Sequence, residues 1–185
     1  MAQLPFDPSK LDSKNRIIYE EIVAARKIQG SPFDGPYSAL MNHPQLCQKI
    51  EQLGYYLKFE GHLSREVYQF VVLAVAQSTK ANFEWEDHVN HAISAGVPAN
   101  IIQVLKDQGI GSSNFSDPYR TASLVLRATL IYENIPNVVQ ANAIEAYGML
   151  GFIEIVVLSG FYQMFSAIDK GFEISLRPGM QSIFK

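Results

Sequence analysis

An all-α fold follows from three features of the sequence. Apolar residues recur at helical spacing in one segment after another, as at Ile17, Ile18, Ile22 and Val23. Breaks rich in proline, glycine and asparagine separate these segments at 30–36, 42–44, 96–98, 109–118 and 134–137. The valine-rich run from Val67 to Ala76 could be read as a strand, but no second segment offers it a partner. One domain over residues 1–185 is the expectation for this length, with an N-terminal arm and helix (1–32), a helical core (33–170) and a C-terminal tail (171–185).

Each element has its own signal. Residues 1–10 carry two prolines and no periodicity, which reads as an extended arm. A helix is expected from Leu11 to Gln29, then a firm break whose Phe33 and neighbouring Tyr37 suit packing onto the core. A short helix at 37–41 precedes the break Asn42-His43-Pro44. The next helix runs to about Phe59, with Leu46, Ile50, Leu53, Tyr56 and Leu57 inward. Ser64 is a good N-cap for a helix from Arg65 to Thr79, which is apolar nearly all round and therefore buried on all sides. The short Lys80–Phe83 connection sets the following helix antiparallel to it, and Gly96 ends that helix in the left-handed conformation. Helices over 99–105, 117–132, 138–147 and 149–168 complete the chain, with Asn137 as an N-cap and a tail laid over a neighbouring surface.

Composition excludes several classes. The net charge is −3 and only 18% of residues are charged, so there is no basic footprint for nucleic acid. Cys47 is the only cysteine, which rules out a Cys-x-x-Cys redox centre and a multi-cysteine zinc site. The N-terminus lacks the pattern of a secretory leader, and the expectation is a cytoplasmic protein. The apolar stretch 147–168 is interrupted by Glu154 and diluted by glycine and serine. It reads as a buried helix in a large interface of a homo-oligomer, not as a membrane span.

The segment Phe83-Glu84-Trp85-Glu86-Asp87-His88-Val89-Asn90-His91 concentrates the proton-transfer chemistry. Residues four apart share a helix face, so Glu84 and His88 stack, with His91 beside them. A carboxylate next to an imidazole fixes its tautomer and raises its pKa. The same spacing also occurs on ordinary solvated helices, where such a pair contributes only a few tenths of a kcal/mol, or roughly 0.2–0.5 kcal/mol.

Taken in order, Gly35-Pro36-Tyr37, His43-Pro44, Leu63-Ser64-Arg65-Glu66, Val71–Ala76, Phe83-Glu84-Trp85-Glu86-Asp87-His88, Ala92 and Gly96-Val97 resemble the carboxymuconolactone decarboxylase family, part of the AhpD-like superfamily. Glu154 and Tyr162 fit that family's apolar C-terminal helix. The resemblance implies an all-α, AhpD-like helical bundle assembled as a dimer, trimer or hexamer. Redox-active relatives carry Cys-x-x-Cys before the histidine; here those positions are Ala81 and Glu84, and the helper acid falls near Gln69. The resemblance therefore implies the cofactor-free chemistry of the decarboxylase-like relatives on a small carboxylated or lactone substrate, and disfavours peroxidase activity. His88, polarised by Glu84, would move the proton, and His91 would assist. Gln69, Trp85 and Tyr162 would contact the substrate. No metal is expected. Two other readings stay open: a metal held by Glu84, His88 and His91, and a non-enzymatic oligomeric protein that binds a small ligand.

Overall fold

A computed structural model describes residues 3–185, and these contain helices and no strands. After a 3-10 turn at Pro8–Lys10 come α1 (Ser13–Ile28), α2 (Pro36–Leu40), α3 (Pro44–Tyr55), a π turn (Tyr56–Glu60), α4 (Arg65–Thr79), α5 (Asn82–Ser94), α6 (Ala99–Gln108), α7 (Tyr119–Thr129) and α8 (Asn137–Gly171).

The centre of the fold is α4, every residue of which from Val67 to Gln77 is buried. Its expected cap is present: the Ser64 hydroxyl accepts from the Val67 N–H at 3.2 Å. The helices α5, α6, α7 and α8 all pack on it. Lys80 takes the left-handed conformation (φ 57°) and reverses the chain, so that Gln69 in α4 lies against His88 in α5, an antiparallel arrangement. At the far end of α5 the Val97 N–H returns to the Ala92 carbonyl at 3.0 Å across Gly96 (φ 99°), the closure expected of a glycine past the last turn.

Gly148 divides α8. Its backbone (φ 72°, ψ 168°) is not helical, and the two predicted helices abut there without an intervening loop. The N-cap of α8 is Pro136, with Asn137 one position inside, because the extended Pro136 backbone (ψ 143°) already turns the chain into the helix. By length and composition α8 could cross a membrane, yet its inner face is packed on α4 and α7. Buried Glu154 accepts from the His62 N–H at 2.8 Å and the Leu63 N–H at 3.0 Å. That carboxylate anchors the loop leading into α4, so its place in an apolar helix has a structural reason.

Both ends of the chain fold back on the core. Phe33 packs edge-on against Tyr19 and Phe6, as the aromatic content of the 30–36 break suggests. The tail lies across the start of α5. There the Asn82 side chain accepts from the Ile183 and Phe184 N–H groups at 2.7 Å each and donates to the Phe184 carbonyl at 3.0 Å. Phe184 meets Trp85 edge-to-face with centroids 5.2 Å apart.

Candidate active site

Glu84 and His88 face inward from α5 and are 4% and 6% exposed. The partner that holds the imidazole is Gln69 of α4, whose Oε1 lies 2.9 Å from His88 Nδ1. The ring N–H donates to that amide oxygen, which leaves Nε2 as the acceptor. The Tyr162 hydroxyl of α8 donates to Nε2 at 3.2 Å, and the Tyr68 and Tyr162 hydroxyls are 3.0 Å apart. Glu84 Oε2 stands 3.8 Å from Nε2, beyond hydrogen-bonding reach. The tautomer is therefore set by Gln69 and Tyr162, not by Glu84.

The electrostatics also correct the sequence expectation. Burial pushes the His88 imidazole down to about 3, and the attraction of Asp87 only partly opposes it. Burial and the nearby acids Asp169 and Asp87 push the Glu84 carboxyl well above its usual range. Removing the pair from water outweighs their mutual attraction, because at 3.8 Å there is no hydrogen bond to offset the lost hydration. Burial thus favours the neutral form of both groups, the unprotonated imidazole and the protonated carboxyl.

These groups border a cavity of about 60 Å³. Tyr37, Tyr68, Phe161 and Phe165 form much of its wall. Three cations reach it from distant parts of the chain: Arg26 of α1, Lys58 of the π turn and Arg177 of the tail. Arg177 is committed to carboxylates, reaching Asp34 Oδ1 at 2.7 Å and also bonding Asp87. Arg26 covers the Tyr37 ring at 4.0 Å and donates to the Pro32 carbonyl. Lys58 has no ion-pair partner among the described residues, and burial together with Arg65 and Arg26 lowers its ammonium to about 8.

The remaining predicted site residues are placed differently from one another. Tyr162 borders the cavity. Gln69 is fully buried behind His88, so it orients the ring and does not reach the cavity. Trp85 is likewise outside the cavity wall; it seats the tail through Phe184. His91 is half-buried with its ring 6.0 Å from that of His88. Glu84, His88 and His91 do not converge, and no group of three such residues among those described could hold a metal ion. Asp87 was not among the residues expected at the site, although its position beside His88 in the motif is a local signal. Arg26, Lys58, Tyr68 and Arg177 carry no local signal, since only the packing of α1, the π turn, α4 and the tail brings them together.

No family model matches the chain, and no curated protein matches it. Solved structures do. A protein of unknown function from Agrobacterium tumefaciens, described as a candidate AhpD antioxidant defence protein, superposes with a TM-score of 0.65 at 14% identity, over 78% of this chain and 99% of its own. The debrominase Bmp8 matches with a TM-score of 0.69, and its cysteine-to-alanine variant in complex with 2,3,4-tribromopyrrole with 0.71. Both are 12% identical over 91% of this chain and 90% of theirs. The AhpD-like fold implied by the motif resemblance is therefore the fold of this chain.

Proposed function

We propose that this protein is a carboxymuconolactone decarboxylase-like lyase: a cofactor-independent acid–base catalyst acting on a small carboxylated or lactone substrate. The observation that carries the reading is Glu84, His88 and Lys58 bordering one cavity, where burial favours the neutral form of the first two and Lys58 has no ion-pair partner among the described residues. Lys58 holds the substrate carboxylate or the enolate oxygen. Loss of carbon dioxide leaves an electron pair on carbon, and Glu84 supplies the proton that quenches it. His88, held by Gln69, presents Nε2 as base or acceptor to a substrate that takes the place of the Tyr162 hydroxyl there. The roles are thus reversed from those suggested by the motif alone, with Glu84 as acid. A thiol route is disfavoured, because burial raises Cys47 to about 12 and it has no second cysteine. Ligand pockets are commonly about 300–1,000 Å³, so a ring-sized substrate enters only if wall residues such as the exposed Tyr55 move aside.

The test is a panel of small keto acids and lactone carboxylic acids, followed by carbon dioxide release. His88→Ala and Glu84→Gln should each lower turnover by roughly 10²–10⁴-fold with the fold intact. Full activity in either variant rejects the assignment. The small cavity also favours a second reading, a non-enzymatic ligand-binding protein; saturable binding without turnover in the same panel would select it. Assembly as a homo-oligomer and a cytoplasmic location belong to the proposal. Exposed Met149, Leu150, Ile153 and Val157 on one face of α8 support self-association.

A further inference from the structure

Asp169 is a buried titratable group with no part in the chemistry so far. It lies two turns beyond Tyr162 on the same face of α8, is 7% exposed, and neither carboxyl oxygen meets a hydrogen-bond donor among the described residues. Both oxygens are acceptors when ionised, and a buried carboxylate with no donor is costly. The group set against it is another acid: Glu84, buried on α5 where that helix packs on α8, is placed to hydrogen-bond the Asp169 carboxyl. Such a contact forms only when one of the two carries a proton.

We propose that Glu84 and Asp169 form a carboxyl pair that shares a proton, with Asp169 as the positioning residue that keeps Glu84 protonated in the cavity and resupplies its proton. The sharing stands by itself; the resupply rests on the catalytic reading above. In each turnover the carbanion left by decarboxylation takes the Glu84 proton. Asp169 then takes a proton from water and passes it to the Glu84 carboxylate, so each carbon dioxide released consumes one solvent proton. The surroundings permit this order. On its far side Asp169 borders a separate open cleft of about 430 Å³ with Lys80, Lys170 and Lys185, the direction from which water can approach.

The neighbouring charges set the titration. Burial raises Asp169, the bond from Glu84 holds it down and Asp87 raises it further, leaving it at about 7. Glu84 is raised well above the ordinary carboxyl range by burial, Asp169 and Asp87, against a lowering by Arg26. His88 is neutral, and the phenols Tyr68 of α4 and Tyr162 of α8 face the pair uncharged.

Infrared titration of the intact protein tests the pair without any substrate. Solvent-exposed carboxyls are ionised above about pH 6, so any protonated-carboxyl absorption that remains is buried. The wild type should show one component that disappears around neutrality and a second that persists to higher pH. Asp169→Asn should lose the neutral step and move the remaining component to lower pH, whereas Glu84→Gln should lose the persistent one. A folded wild type with no protonated-carboxyl absorption above neutrality overturns the pair, as does an Asp169→Asn titration identical to the wild type. In the kinetic arm, kcat of the wild type should fall as pH rises through neutrality. Asp169→Asn should lower kcat about tenfold with KM little changed and abolish that fall. A positive infrared result with unchanged Asp169→Asn kinetics rejects the resupply alone, which keeps its failure distinct from failure of the lyase reading.

Discussion

His88 illustrates how one residue's behaviour is set by what replaces water around it. Its imidazole gives up hydration and makes one hydrogen bond at each nitrogen, donating from Nδ1 to Gln69 and accepting at Nε2 from Tyr162, both uncharged. The Asp87 carboxylate, 3.9 Å from Nε2, favours imidazolium but does not offset the lost hydration, so the neutral form prevails. The ring signals of His88 in NMR should accordingly keep neutral-imidazole positions from about pH 8 to about pH 4, where an ordinary histidine would titrate near 6.5. Gln69→Glu places a carboxylate against Nδ1 and should move the midpoint up into the neutral range. A wild-type His88 that titrates near its ordinary value would refute the arrangement.

At the scale of elements, α5 does two jobs with opposite faces. One face presents Glu84 and His88 to the cavity, and its first turn grips the tail through Asn82 and Trp85. The tail in turn delivers Arg177 to Asp34 and Asp87, so it closes one side of the cavity. Asn82→Ala removes the acceptor for two backbone N–H groups and the donor to Phe184, and should cost about 1–3 kcal/mol. A lower denaturant midpoint would register the loss. Trp85 is the only tryptophan, so its fluorescence should also shift to the red as Phe184 leaves it. An unchanged emission spectrum would mean that the tail is held by something else. Gly35 is a second fixed point: its φ of 56° and the Phe83 ring, 2.2 Å from where a Cβ would stand, leave no room for a side chain.

For the whole molecule, the unused apolar surface is the feature that asks for an explanation. Met149, Leu150, Ile153 and Val157 run along the outer face of α8, and Leu46 and Leu53 are exposed on α3. A second copy of the chain is the proposed occupant. Light scattering should return a multiple of the 20.7 kDa chain mass at micromolar concentration. The double substitution Ile153→Glu and Val157→Glu should reduce it to the chain mass while helicity is retained, because both side chains are about half exposed and outside the core. A wild-type protein with the mass of a single chain would rule out the oligomer.

The helices were readable from the sequence because their causes are local. The Ser64 cap, the all-apolar run of α4, the Gly96 stop and the Gly148 break are each written within a few residues, and the structure has all four. The stacking of Glu84 with His88 was readable for the same reason, as it follows from helical spacing alone. Their protonation was not, because it depends on how completely α4 and α8 exclude water and on the approach of Asp169 from 85 positions further along the chain. Nor were the roles of Gln69 and Trp85, whose partners come from other elements. The cations of the cavity belong to the same class: Arg26, Lys58 and Arg177 are unremarkable in their own segments and meet only through tertiary packing. Charge state and pocket composition are properties of solvent exclusion, which local sequence spacing does not specify.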